Sequence, residues 1–478
     1  MNKRIGYDSG RLLGLMLVFM AVLTGCGQKE EWRDEVLSGI RSVLPESEMS
    51  FAPDADAEEM AAQDTGLEGI EFSWPESIEL PSSYDYRLEG RAADVKNQGS
   101  LGTCWAFSSL MALETSLLPE EDWDFSEDHM SIRNSFGMTQ EEGGDYSMAM
   151  AYLLAWQGPV REEDDPYGDL VSPEELMPVK HVQEVRVFPF KDYTRIKEAV
   201  YLYGGVESSI YTDLEDTRSQ SVFYDSENYA HFYNGTEEPN HRVVIVGWDD
   251  DYPRENFKVQ PKGDGAFICA NSWGSEFGDE GFFYVSYFDV NIGSYNVLYS
   301  GVEPPDNYDY IYQTDLCGWN GQLGYREETA YFSNVYQADS EQILKAVGFY
   351  AVGAETEFTV YVENEMGSEP SLENAIPVAE GSFWQEGFYT VPLEREIALA
   401  AGERFCVIVK IKTPGASQPI ATECSSPDGG RIVDLSDGEG YCSFDGINWE
   451  HVEEKHECNL CLKAYTIEKT IQESEESQ

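Results

Sequence analysis

The chain has 478 residues, with 31 Lys and Arg against 89 Asp and Glu, for a formal net charge of −58 at pH 7. That balance excludes a nucleic-acid binder resting on general electrostatics, and it repels an anionic membrane surface. The length predicts two domains of ordinary size, and a hydrophobic content of 41% is enough for real cores.

Lys3, Arg4 and Arg11 precede an apolar run from Leu12 to Leu23. The run is too short for a transmembrane span and reads as the apolar region of a signal peptide. It ends in Leu23-Thr24-Gly25-Cys26, which resembles a bacterial lipoprotein box. The resemblance implies cleavage after residues 1–25, transfer of a diacylglycerol to the Cys26 sulfur, and an extracellular protein held to the membrane only by that anchor. The alternative is an ordinary secretory signal in which Cys26 is incidental. Residues 26–79 are acidic, with Glu30-Glu31 and the stretch Ala52 to Glu59, and read as a flexible tether or short propeptide.

The chemistry-bearing segments begin at Asn97-Gln98-Gly99-Ser100-Leu101-Gly102-Thr103-Cys104-Trp105. Trp105 to Leu118 has helical spacing, with Ala106, Leu110, Leu113 and Leu117 on one stripe, Thr103 at the N-cap and Pro119 ending the run. This places Cys104 at a helix N-terminus, where the dipole favours a thiolate. Further on come Asn240-His241-Arg242, leading into the buried-strand pattern Val243 to Gly247, and then Asn271-Ser272-Trp273-Gly274. Amide hydrolysis by a thiol needs an imidazole to pair with the thiolate and protonate the leaving amine. It also needs a group to orient that imidazole and donors for the oxyanion. His241, Asn271, the Gln98 side chain and the Cys104 backbone N–H supply these. A lone Cys beside Trp is ordinarily a buried hydrophobe, and a lone His at a strand edge is ordinarily structural. The combination argues otherwise here. His129 reads as a helix-surface group, and Cys269, in an apolar run, as buried and inert.

From about Leu80 to Gly301 the chain resembles the C1-type, papain-like cysteine peptidases. The resemblance implies that Gln98, Cys104, His241 and Asn271 are the oxyanion glutamine, nucleophile, general base and orienting asparagine. It implies that Trp273 shields the His–Asn hydrogen bond and that Gly143-Gly144 pair with an extended substrate peptide. Ile196 to Ile210 resembles the helix and strand entering the second lobe, and Gly281 to Tyr287 the strand after the Asn motif. The family's cysteine three residues before the nucleophile is Leu101 here, and Arg242 stands where a small residue is common.

The segment from 305 to 467 carries short strand signals at Ile343–Tyr350, Phe358–Val362, Phe405–Ile411 and Leu460–Thr466. Phe358, Val360 and Val362 alternate with Thr359 and Tyr361, as in an antiparallel β-sandwich of jelly-roll type. The region resembles the lectin-like module that follows the peptidase in bacterial proteins of this kind. Leu316 to Trp319, Ala330 to Val335 and Gly387 to Leu393 carry that resemblance, which implies no sugar site by itself. Six of the nine cysteines, Cys317, Cys406, Cys424, Cys442, Cys458 and Cys461, fall here, an even count that predicts disulfides in an exported domain. Cys458-x-x-Cys461 beside His456 has the look of half a zinc site, but no second such pair exists and the segment reads as a strand. Asp249-Asp250-Asp251 reads as a solvated acidic turn rather than a calcium site.

The resulting expectation is an α+β chain. Residues 1–25 are the signal, 26–79 the tether, 80–304 a two-lobed papain-like domain, 305–467 an all-β sandwich and 468–478 an acidic tail. Its function is cysteine endopeptidase activity on protein or peptide substrates. No cofactor or metal is called for, and a cell-wall or glycan ligand is expected for the sandwich, which should fold alone. Two rivals are an inactive papain-like surface-binding protein and a transglutaminase-like acyl transferase.

Overall fold

The helix Cys104–Leu117 starts one residue before the predicted run and ends one before it, and 12 of its 14 residues are buried. It is a central helix rather than an amphipathic one. The helices Glu127–Ile132 and Tyr146–Leu154 and the strands His241–Asp249 and Asn296–Glu303 all pack on it. Its polar residues fit because Ser108, Thr115 and Ser116 donate their hydroxyls to carbonyls one turn back in the same helix. The computed structural model describes residues 41–43, 65–75, 78–214, 220–364, 366–426, 431–436 and 438–469. The signal segment and Cys26 lie outside the described residues.

The second lobe is a sheet around the strand His241–Asp249. That strand pairs antiparallel with Val206–Ile210 on one side, in the register Ile210 to His241, and with Ala266–Ala270 on the other, in the register Val244 to Ala270. Asn271 directly follows the second partner, so the pairing brings it to the same end of the sheet as His241. Val243 to Val246 are at most 1% exposed, as their continuous apolar run predicts. A mostly helical lobe thus carries Cys104 and a β-rich lobe carries His241 and Asn271, the expected α+β arrangement.

The C-terminal region is a sandwich. One sheet contains Thr329–Gln337, Thr356–Glu363, Ile376–Phe383 and Arg404–Lys412; the facing strands are Gln342–Ala351, Gly387–Leu399 and Leu462–Glu468. Phe349, Phe358, Phe383 and Tyr389 stack in the core between them. The strand predicted at Phe405–Ile411 is buried on both faces. Cys406 and Ile408 on the second face are also fully buried, because Met366, Leu372 and Trp449 cover them.

Three expectations need correction. The sandwich and the peptidase region share a sheet and a core rather than meeting only at a linker. Gly387–Tyr389 pair antiparallel with Glu184–Arg186, so one sheet runs through both, and Phe388, Tyr350 and Cys461 share a core with the central helix. Part of the 26–79 segment is not a free tether. Ile70–Phe72 add a parallel strand beside Gly381–Phe383, and Trp74 is buried, donating to Glu198 (2.8 Å) and stacking on Trp384. The signal was the alternation Ile70, Phe72, Trp74 inside an acidic stretch. The predicted disulfides are not formed: no S–S bond joins the six cysteines of the sandwich, all of which are buried, and Cys424 and Cys458 face each other across a strand pair. They are absorbed as small hydrophobes in the core.

Candidate active site

Cys104 is the first residue of the central helix and is half-buried. Thr103 occupies the cap position, but its side chain makes no cap bond. Its hydroxyl instead meets Tyr167 Oη at 2.7 Å, and the Tyr167 hydroxyl also reaches the Gln98 carbonyl at 2.9 Å. The first helical turn carries no acidic residue, so nothing offsets its positive end. As the first helical residue, Cys104 has a backbone N–H with no intrahelical acceptor.

Burial pushes the Cys104 thiol up, while the backbone and charge of Arg242 draw it down and the Glu207 carboxylate pushes it up again. Cys104 therefore meets the start of the strand His241–Asp249. His241 is 6% exposed, and burial holds its imidazole down at about 4, against the opposing effect of its hydrogen bond to Asn271. Its Nε2 lies 2.7 Å from Asn271 Oδ1, an atom that only accepts, so Nε2 carries the proton and Nδ1 is the acceptor in the neutral ring. Asn271 Oδ1 also accepts from the Ser272 N–H at 2.8 Å, which fixes the amide. The Trp273 ring lies 4.7 Å from the His241 ring and is braced edge-on by Phe277.

Gln98 is held from both ends. Ser272 Oγ donates to its Oε1 at 2.6 Å, and its Nε2 donates to the Leu101 carbonyl at 2.8 Å. An amide nitrogen has two hydrogens, so one stays available to a further acceptor. Gly143, at φ +86°, packs against Gly102, two residues before the nucleophile. A Cβ on Gly144 would come within 2.5 Å of Trp105 Nε1. Both glycines thus pack against residues that flank Cys104.

Several groups were not legible. Glu207 is fully buried, accepts from Ser109 Oγ at 2.7 Å, and has its carboxyl pushed up by burial to about 7. Arg242 lies between the Tyr146 and Tyr295 rings, 5.2 and 5.3 Å from their centroids. Ser272 sat unnoticed inside the Asn-Ser-Trp motif. His129 was misread: it is 4% exposed and bonds Tyr152 Oη at 2.6 Å, because the short helix that carries it turns that face inward. His181 stacks on Trp156 and bonds Asn307, a structural role. Cys269 is fully buried, as expected. Asp249 to Asp251 form a turn braced by their own backbone, with Asp250 meeting Lys197 and Tyr287.

Comparison with known proteins agrees with this geometry. The family described as papain family cysteine protease matches residues 80–302, and the lectin like domain family matches residues 311–466. Cathepsin L1 of Drosophila melanogaster is 28% identical over 236 residues, covering 47% of this chain and 58% of its own length. Mouse cathepsin K is 30% identical over 213 residues, covering 42% and 59%. The chain thus spans under two thirds of the length of these curated relatives. A solved structure of the clostridial cysteine protease Cwp84 after propeptide cleavage superposes with a TM-score of 0.72 at 27% identity, covering 81% of this chain and 100% of that one. A second, of the cysteine protease and lectin-like domains of Cwp84, a surface layer associated protein of Clostridium difficile, gives 0.72 at 25% identity, covering 87% and 98%. The chain carries a papain-family cysteine protease domain followed by a C-terminal lectin-like domain.

Proposed function

We propose that the protein is an exported cysteine endopeptidase, anchored through a lipid on Cys26, that hydrolyses protein or peptide substrates with Cys104, His241, Asn271 and Gln98. The observation that carries the reading is the Nε2-protonated His241, locked by Asn271 under Trp273 at the strand end that meets Cys104. Its Nδ1 takes the Cys104 proton, and the sulfur attacks the substrate carbonyl carbon. The tetrahedral oxyanion takes hydrogen bonds from Gln98 Nε2 and the Cys104 N–H. The imidazolium returns the proton to the leaving amine as the C–N bond breaks, which leaves a thioester. Water, deprotonated by His241, then attacks the thioester carbon and releases the acid and the thiol.

Cys104→Ala tests the chemistry: peptide hydrolysis should disappear with the fold intact, and an epoxysuccinyl reagent should label Cys104 far faster than buried Cys269. Unchanged hydrolysis would overturn the assignment. Incubation with a peptide and an amine donor separates hydrolysis from acyl transfer, and an inactive surface-binding protein would cleave nothing. Cys26→Ser tests the anchor and should release the protein from the membrane fraction or block its processing. The lectin-like region would hold the enzyme against a cell-wall or glycan ligand; a pull-down with cell-wall material checks this.

A further inference from the structure

The hairpin Gly440–Ser443/Glu450–His451 lies at the edge of one sandwich sheet, and it pairs Cys442 directly with Glu450. Directly opposed residues of an antiparallel pair project to the same face. The chain then makes one short helix, Val452–His456, which ends at Glu457 with φ +54°. That turn brings His456 back over the hairpin. The Cys442 sulfur, a Glu450 carboxylate oxygen and a His456 ring nitrogen all lie within 4.8 Å of one another. His456 Nε2 stands 3.4 Å from Glu450 Oε2, while the other carboxylate oxygen faces Lys455 at 3.3 Å. Cys442 is fully buried and His456 is 7% exposed. The Glu450 side chain, at 16%, marks the side open to solvent. The Tyr325 hydroxyl donates to the Cys442 sulfur at 3.2 Å.

We propose that Cys442, Glu450 and His456 form a binding site for a zinc-class divalent cation that staples the edge hairpin to the end of the helix Val452–His456. One thiolate, one imidazole and one carboxylate are the donor mixture zinc takes, whereas calcium and magnesium require oxygen ligands throughout. Three protein ligands leave a fourth position, which water fills from the Glu450 side. Ligands at about 2.0–2.3 Å around a tetrahedral zinc lie roughly 3.3–3.7 Å apart, a spacing that His456 Nε2 and Glu450 Oε2 already have at 3.4 Å, and binding releases the Cys442 thiol proton to solvent. The Cys458-x-x-Cys461 spacing pointed to the right neighbourhood and the wrong residues. Cys461 is buried in the core shared with the peptidase region, and Cys458 faces Cys424 across a strand pair.

The test uses the full chain in a Cys104→Ala background, so that the catalytic thiol does not compete. After loading with zinc and dialysis, the parent should hold one zinc per chain. With cobalt it should show a thiolate-to-metal charge-transfer band. Cys442→Ser should lose both signals, His456→Gln should lose zinc retention, and Cys461→Ser should keep both. Where Cys442→Ser fails to fold, Glu450→Gln at the solvent side serves instead and should release zinc to a chelator at least tenfold faster. A parent with no charge-transfer band overturns the site, as does zinc retained equally by the Cys442 and His456 variants.

Discussion

His241 donates from Nε2 to Asn271 Oδ1 at 2.7 Å, and that bond leaves Nδ1 as the ring's acceptor. The two residues come together because the strand carrying His241 pairs with the strand that ends at Ala270. In the proposed mechanism His241 moves the proton, whereas Asn271 only orients. His241→Ala should therefore abolish peptide hydrolysis. Asn271→Ala should leave activity well above that floor, reduced about 10²–10⁴-fold in kcat with KM little changed. Steady-state kinetics on one short peptide distinguishes the two, and equal losses would mean that Asn271 holds the fold rather than the tautomer.

The peptidase and lectin-like regions are one folding unit in their packing. Phe388, fully buried, sits on Tyr350 with ring centroids 5.0 Å apart, at the junction where Gly387–Tyr389 pair with Glu184–Arg186. Phe388→Ala should cost about 3–5 kcal/mol. It should shift a single cooperative transition rather than one of two. Truncation after Gly301 should yield an aggregating fragment, since it bares both a strand edge and this apolar surface. Two separate transitions in the parent, by calorimetry, would refute the shared core.

The catalytic set was legible because each of its members sits in a short local motif whose residue types the chemistry dictates. The fold brings Gln98 to Ser272, His241 to Asn271, and Gly143 to Gly102 beside Cys104. The helix and the central strands followed from periodicity. What stayed hidden depends on which distant segments meet. Nothing local to Val185 announces Phe388 as its partner. His129 looked exposed in an acidic stretch because its neighbours Glu127 and Asp128 are themselves buried, the first against Lys96 at 3.0 Å and the second against Gln140 at 2.7 Å. The even cysteine count in the sandwich reflected core packing, which composition cannot separate from pairing.

Glu207 predicts a pH-dependent stability. Its carboxyl is raised to about 7 by burial, above the usual carboxylate value, so folding favours the neutral form. The parent is then unpenalised at low pH, loses stability as pH rises toward 7, and is level above it. Glu207→Gln keeps the shape and removes the titration. It should raise stability relative to the parent by up to about 3 kcal/mol at pH 8 and by little at pH 4. Denaturant melts at the two pH values check the sign. An equal gain at both would assign the effect to packing.

Arg242 predicts the reactivity of the nucleophile. Its guanidinium, set between Tyr146 and Tyr295, and its backbone both draw the Cys104 thiol down, while Glu207 pushes it up. Arg242→Ala removes the side-chain charge but keeps the backbone N–H. The thiolate then loses a cation and faces the Glu207 carboxylate with less opposition, so the thiol should titrate higher. Alkylation of Cys104 at neutral pH should slow by roughly 3-fold for each half-unit rise, and the whole rate–pH curve should move to higher pH. Arg242→Lys should fall between parent and alanine variant. Adding Glu207→Gln to Arg242→Ala should recover part of the rate, because the opposing charge is gone. A curve unmoved on the pH axis, with only its plateau changed, would show that Arg242 shapes access to the sulfur and leaves its ionisation alone.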